Sequence, residues 1–219
     1  MMLELYDLVG VNDLRFSPFC WRTKAVLAYK KIPYTNVPVR YVDKEKIAFS
    51  GQGAVPVLKD DDVAVYDSWT IACYLEDKQP EPRLFPGLGL KEACRFFNRY
   101  VDYTLNPAIA RVIVNNIYAI VDPADREYFR TTREQRLGMT FAEVAARQEE
   151  FRTRMYEVLA DLEATLLTQD HFFGLLTYAD FSVFGSLKWV TVVSQEPLFN
   201  ATPALQAWWD RMSEISFVE

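Results

Sequence analysis

Apolar and polar side chains alternate from Leu3 to Leu8, the period of a half-buried strand. A polar loop follows, and Pro18 then stands where a helix of about Phe19 to Lys31 would begin, a favoured place for proline. Val26, Leu27 and Tyr29 give that helix its apolar faces, while Lys30 and Lys31 fall in a last turn where the helix dipole favours cations. Tyr34 to Tyr41 reads as a second strand, and Asp43 to Ala48 as a short charged helix. Val55 to Lys59 and Val63 to Val65 flank the acidic turn Asp60-Asp-Asp62, the pattern of an antiparallel hairpin. Ser68 to Asp77 is helical, with Ile71, Ala72 and Leu75 on one face. The order β-α-β-α-β-β-α in about eighty residues suits a small α/β module.

The pattern changes after that. Three prolines and two glycines fall between Gln79 and Gly89, the composition of an interdomain linker. Beyond it strand signals nearly vanish, and helical periodicity covers Leu90 to Ile120, Pro123 to Leu137, Phe141 to Leu167, Ala179 to Val193 and Pro203 to Ser213. The expected organisation is an α/β domain over 1–79, a linker over 80–89 and an all-α bundle of five or so helices over 90–219.

Composition narrows the function classes. With a net charge of −6 and no Lys/Arg-rich run, the chain does not present the face of a nucleic-acid binder. No stretch approaches the roughly 20 apolar residues of a membrane span, and the acidic start lacks the features of a signal peptide. Three cysteines, with no C-x-x-C pair among them, point to reduced thiols and a cytoplasmic location rather than a disulfide framework. A single histidine, His171, argues against a His-rich metal site and against hydrolysis driven by a histidine base. No metal is expected.

Three features of the α/β module carry candidate chemistry. Ser17 precedes Pro18 at the start of the first helix. There it either only caps the helix or also donates a hydrogen bond to a neighbouring sulfur anion, lowering the pKa of that thiol. Pro56 opens a strand and has no amide to donate. If the Val55–Pro56 bond is cis, the backbone of Val55 turns outward to pair with an extended peptide; if trans, it is an ordinary strand entry. Asp67-Ser68 precedes the third helix, with Ser68 as the expected cap. The free amides behind it suit a carboxylate, and the Asp67 carboxylate suits an ammonium.

Taken together, these segments resemble the glutathione transferase superfamily over essentially the whole chain. Ser17-Pro-Phe-Cys-Trp-Arg-Thr-Lys-Ala-Val-Leu27 is similar to the active-site start of its serine-type members. Ala54-Val-Pro-Val-Leu58 resembles its cis-proline strand, and Tyr66-Asp-Ser-Trp-Thr-Ile-Ala-Cys-Tyr-Leu-Glu76 its γ-glutamyl-binding segment. Thr177-Tyr-Ala-Asp180 resembles a structural capping motif of the second domain, with Thr177 as cap. The resemblance implies a thioredoxin-like N-terminal domain, a helical C-terminal bundle, glutathione as co-substrate and a homodimer. By the same resemblance, Ser17 holds the glutathione thiolate, and Val55 with cis-Pro56 pairs with the cysteinyl part. Asp67 and Ser68 then take the γ-glutamyl end and Gln52 the glycyl end. Within the superfamily the closest likeness is to the bacterial glutathione-dependent β-etherases and their fungal relatives, through Ser17 to Lys24 and Asp125-Arg-Glu-Tyr-Phe-Arg-Thr-Thr-Arg-Glu-Gln135. This implies attack on an apolar, aryl electrophile.

The electrophile pocket is expected between Phe19, Trp21 and the first long helix of the bundle, with Tyr103, Ile109, Arg111, Asn115 and Tyr118 as candidates. Each of these has an alternative in plain packing. Cys20 stands where a redox pair would have its second cysteine, and without the first it reads as a packed helix residue. Two other functions fit the same segments: a non-catalytic glutathione-binding or interaction protein, and a glutathione peroxidase or isomerase.

Overall fold

The computed structural model describes residues 3–200 and 202–215. Four strands, β1 (Leu3–Leu8), β2 (Tyr34–Val39), β3 (Val57–Asp60) and β4 (Val63–Tyr66), form one mixed sheet in the order β2-β1-β3-β4. β1 runs parallel to β2 and antiparallel to β3, and β3 and β4 make the expected hairpin. Helices α1 (Pro18–Tyr29) and α2 (Ser68–Lys78) complete this thioredoxin-like unit. Seven α-helices are described after it: α3 (Leu90–Tyr100), α4 (Asn106–Ile120), α5 (Arg126–Leu137), α6 (Phe141–Ala146), α7 (Gln148–Leu166), α8 (Tyr178–Val193) and α9 (Pro203–Ser213).

Several boundaries differ from the sequence reading, each for a physical reason. The first long helix is interrupted by a π-helical turn at Val101–Leu105. Pro107 has no amide to donate and its ring crowds the carbonyl four residues back, so the ladder widens just before it. The third predicted helix divides at Arg147 (φ −110°, ψ 19°), where no glycine or proline signals a break. Strand β2 stops at Val39, short of Tyr41, because the next amides are taken elsewhere. Tyr41 N and Val42 N donate to the buried Asp125 carboxylate at 2.9 and 3.1 Å, which ties the sheet to the foot of α5.

Lys30 and Lys31 lie past the end of α1 rather than in its last turn. The Lys30 stem is buried, and its Nζ donates to Glu76 Oε2 (2.7 Å), Gln79 O (2.7 Å) and Pro82 O (2.9 Å). This ammonium clamps the proline-rich connection onto the α/β unit. Asp67, not Ser68, caps α2, its carboxylate accepting from Trp69 N (3.1 Å) and Thr70 N (3.0 Å).

Helix α8 is buried on almost every side, as its near-continuous apolar sequence requires. Thr177 caps it in a capping box with Asp180. The fully buried Asp180 carboxylate also accepts from Trp208 Nε1 (2.9 Å) and meets His171 Nδ1 (3.1 Å), so the single histidine has a structural partner. α8 packs against α1 with Gly185 at the crossing. A Cβ added there would lie 2.4 Å from Pro18 O and 2.9 Å from Arg22 N. These are backbone atoms that cannot rotate away. Gly185→Ala is therefore expected to lower stability by about 1–3 kcal/mol, read as a lower midpoint in urea denaturation.

Candidate functional site

Strand register gathers the candidate residues at one edge of the sheet. Tyr6 in β1 lies opposite Val57 at the start of β3, and Val57 lies opposite Tyr66 at the end of β4. The chain leaving β1 toward Ser17, the Val55–Pro56 segment entering β3 and the Asp67-Ser68 segment leaving β4 therefore emerge together. β2 also ends at this edge, since Tyr6 pairs with Val37. None of this convergence follows from spacing along the chain.

Ser17 caps α1, its Oγ accepting the Cys20 amide at 3.2 Å. A hydroxyl that accepts in this way keeps its own proton to donate. Ser17 is buried apart from the side that opens into a cavity of about 800 Å³ between the sheet edge and the helical bundle. Val55, preceding a cis peptide bond to Pro56, lines the same cavity, while Pro56 itself is buried behind it. Asp67 is exposed and holds φ 68°, ψ 129°, a conformation that side chains seldom adopt. Ser68, buried next to it, opens α2. Gln52 is half-buried in the preceding loop, its Nε2 donating to Gly51 O at 3.4 Å, outside the cavity wall. Of these residues Ser17 and Val55 line the cavity, while Gln52, Pro56, Asp67 and Ser68 stand outside its wall.

Across the cavity stand α4, α5 and the π-helical turn. Phe19, Tyr103 and Arg111 line it as expected, and Trp189 of α8 joins them. Trp21, Asn115, Tyr118 and Ile109 do not. Trp21 donates from Nε1 to Arg15 O (3.0 Å) and has Lys24 over its ring, so it faces away from the opening. Asn115 points to Phe141 O (3.4 Å), Tyr118 packs edge-on against Phe141, and Ile109 is fully buried in the core. Each of the three is taken up by other parts of the bundle, which periodicity alone does not reveal.

The larger omission is α5. Tyr128, Phe129, Arg133, Arg136 and Leu137 all line the cavity, and Tyr41 and Lys44 close its sheet side. One signal for it stands in the sequence: Asp125 to Gln135 is one of the two segments behind the expected subfamily resemblance. What was missing was the hydrogen-bonded link from Asp125 to Tyr41 and Val42, which swings α5 over the sheet edge.

The wall is aromatic and cationic. Asp102, in the π-helical turn, is the one carboxylate among its described lining residues, and Arg22 Nη1 holds it at 2.7 Å. Tyr41 has its hydroxyl pushed up to about 12 by burial, so it stays protonated at neutral pH. All three cysteine thiols are pushed above the ordinary value, mainly by burial, and Cys20 most of all. Cys20 is thus a packed residue of α1, and no thiol of the chain is poised as a nucleophile. At about pH 7.5, Cys20 and Cys94 should react with iodoacetamide at least roughly tenfold more slowly in the native protein than in urea, as followed by mass spectrometry.

Comparison with known proteins agrees with this architecture. The glutathione S-transferase N-terminal domain model matches residues 12–83, and the C-terminal domain model matches residues 94–214. Glutathione S-transferase Z2 of Arabidopsis thaliana is 35% identical over 80 residues, 34% of this chain and 36% of that protein. The chain therefore spans about a third of that relative's length. Glutathione transferase GSTFuA3 from Phanerochaete chrysosporium superposes with a TM-score of 0.90 at 24% identity, over 100% of this chain and 99% of the other. A glutathione S-transferase of Ceriporiopsis subvermispora, solved in complex with glutathione, gives 0.90 at 22%, over 100% and 99%. At these identities the two structural likenesses speak for the fold.

Proposed function

The chain belongs to the glutathione S-transferase family, and we propose that it binds glutathione along the sheet edge and uses Ser17 to hold the thiolate against an aryl electrophile. The observation that carries this reading is the Ser17 hydroxyl. It caps α1 through its oxygen, keeps its proton, and borders the cavity that Val55 also lines. The family gives the ligand, and a protein of the same fold was solved with glutathione bound.

In this reading the backbone of Val55 pairs with the cysteinyl unit and the start of α2 takes the γ-glutamyl carboxylate, whose ammonium faces Asp67. The glycyl end lies toward Gln52 and Lys44. The thiol loses its proton to solvent, and the sulfur anion is stabilised by the Ser17 O–H and by the positive end of α1. The sulfur then forms a bond to the electrophilic carbon, and the bond from that carbon to the leaving group breaks, the pair of electrons departing with it. For a β-aryl ether the departing group is a phenolate, which is the subfamily reading. The aromatic wall of Phe19, Tyr41, Tyr128, Phe129 and Trp189 supports an aryl group there. Holding both partners in one cavity contributes further through proximity.

Ser17→Ala should lower kcat/KM for conjugation of a chlorinated nitroarene by about 10²–10³-fold, the size of losing one preorganised donor to an anion. The pH–rate midpoint should move upward in the same variant, because the thiolate loses a stabilising hydrogen bond. Glutathione affinity by calorimetry should stay within a few-fold. Calorimetry showing no heat with millimolar glutathione on the wild-type protein would overturn the assignment. Asp67→Ala should weaken glutathione binding and also cost about 0.5–2 kcal/mol of stability through the lost cap, so affinity and the urea midpoint should fall together.

A further inference from the structure

The cavity carries more positive charge than glutathione needs. Arg40, Lys44, Arg111, Arg133 and Arg136 all line it. The Arg40 guanidinium is committed to Asp43 at 2.8 Å. The other four have no carboxylate partner within ion-pair distance among the described residues. Lys44 donates to the Gly53 carbonyl, and Arg111 Nη1 donates to Pro107 O of its own helix at 2.9 Å.

The carboxylates of α5, of its foot and of the cavity wall have other partners. Asp125 accepts the Tyr41 and Val42 amides, and Asp102 is paired with the buried Arg22. Glu134 accepts the Phe141 amide, and Glu127 pairs with Arg130 on another face of α5. The Tyr41 phenol, held protonated by burial, brings no negative charge either.

Arg133 and Arg136 are one helical turn apart on the face of α5 that meets the cavity, a spacing at which like charges repel. Arg133 is nonetheless held in place, its guanidinium carbon 5.0 Å from the Tyr41 ring centroid and 4.9 Å from that of Phe129. A planar cation held against two aromatic rings that themselves meet at 5.4 Å, and lining the cavity, is preorganised for a planar anion beside an aryl group. In the reading above, glutathione takes the start of α2, the Gln52–Lys44 side and Ser17, and no role falls to the α5 pair.

Resting on the glutathione reading above, we propose that the second substrate is an aromatic anion, an aryl electrophile bearing a carboxylate, and that Arg133 and Arg136 bind this group. The ring lies among Tyr41, Tyr128 and Phe129, and its electrophilic carbon faces the sulfur at Ser17. The carboxylate takes no part in bond changes and is retained in the glutathione conjugate.

The test uses two conjugates that differ only in this charge, S-(4-carboxy-2-nitrophenyl)glutathione and its methyl ester, titrated calorimetrically beside glutathione itself. The acid should bind roughly tenfold or more tightly than the ester, the scale of a charge-assisted contact. In Arg133→Gln/Arg136→Gln that gap should close with ester affinity retained. Raising the ionic strength from about 0.01 to about 0.1 M, which shortens screening from roughly 30 to 10 Å, should narrow it in the wild-type protein, a measurement that does not depend on the variant folding. Equal wild-type affinities for acid and ester, or a gap unmoved by salt, would overturn the anion site while leaving the glutathione reading intact. Absence of binding by glutathione and both conjugates would instead remove the glutathione reading and the proposal with it.

Discussion

Helix α1 brings Ser17 to the cavity only because α8 lies against its back, and that approach depends on the bare Cα of Gly185. With any side chain there, Pro18 O and Arg22 N would be too close for van der Waals contact. The same crossing buries Arg22 completely and satisfies it from three directions. Its Nε donates to Ser182 O (3.1 Å), and Nη1 meets Asn98 Oδ1 (3.1 Å) and Asp102 Oδ1 (2.7 Å). A buried cation is tolerated only when paired in this way, and removing one partner is far more costly than the pair is stabilising. The α/β unit and the bundle therefore meet through a contact that has little freedom to slide.

Two further polar links fix how the cavity is shaped between them. Asp125 reaches from the foot of α5 to the amides that leave β2, which stops the strand and places Tyr41 under α5. Lys30 gathers Glu76 and the carbonyls of Gln79 and Pro82, so the connection from α2 toward α3 follows one path. Each link leaves few buried polar groups unmet at a boundary between units, where an unmet group would cost most. The cavity is a product of these constraints rather than of a loop that happens to be open.

Its electrostatics run against the chain as a whole. A protein with a net charge of −6 lines this opening, among the described residues, with five cations and a single carboxylate, and that carboxylate is paired with Arg22. Burial works alongside the cations, keeping Tyr41 protonated and the cysteine thiols inert. The site is consequently arranged to accept anionic chemistry brought by its ligands, with Ser17 and the start of α1 as the place where negative charge on sulfur is best tolerated.

What the sequence determined was local. Alternation fixed β1 and the β3–β4 hairpin, periodicity fixed the helices, and Pro18 after Ser17 and the Thr177–Asp180 pair marked two helix starts, because these signals act over a few residues. Resemblance carried Ser17, Val55, Pro56, Asp67, Ser68 and Gln52 to one site; Ser17 and Val55 line the cavity, and the other four lie outside its wall. Local signals were silent or misleading where a distant group decided the outcome. Trp21, Asn115 and Tyr118 turn away because Arg15 O and Phe141 claim them, and Asp67 is the cap because the turn after β4 leaves it in the non-helical position before α2, with Ser68 already in the helix. Arg133 and Arg136 read as ordinary charges of a polar helix until Asp125 laid that helix across the sheet edge. Register among β1, β3 and β4 and the close approach at Gly185 are relations between segments far apart in the chain, and only tertiary packing sets those.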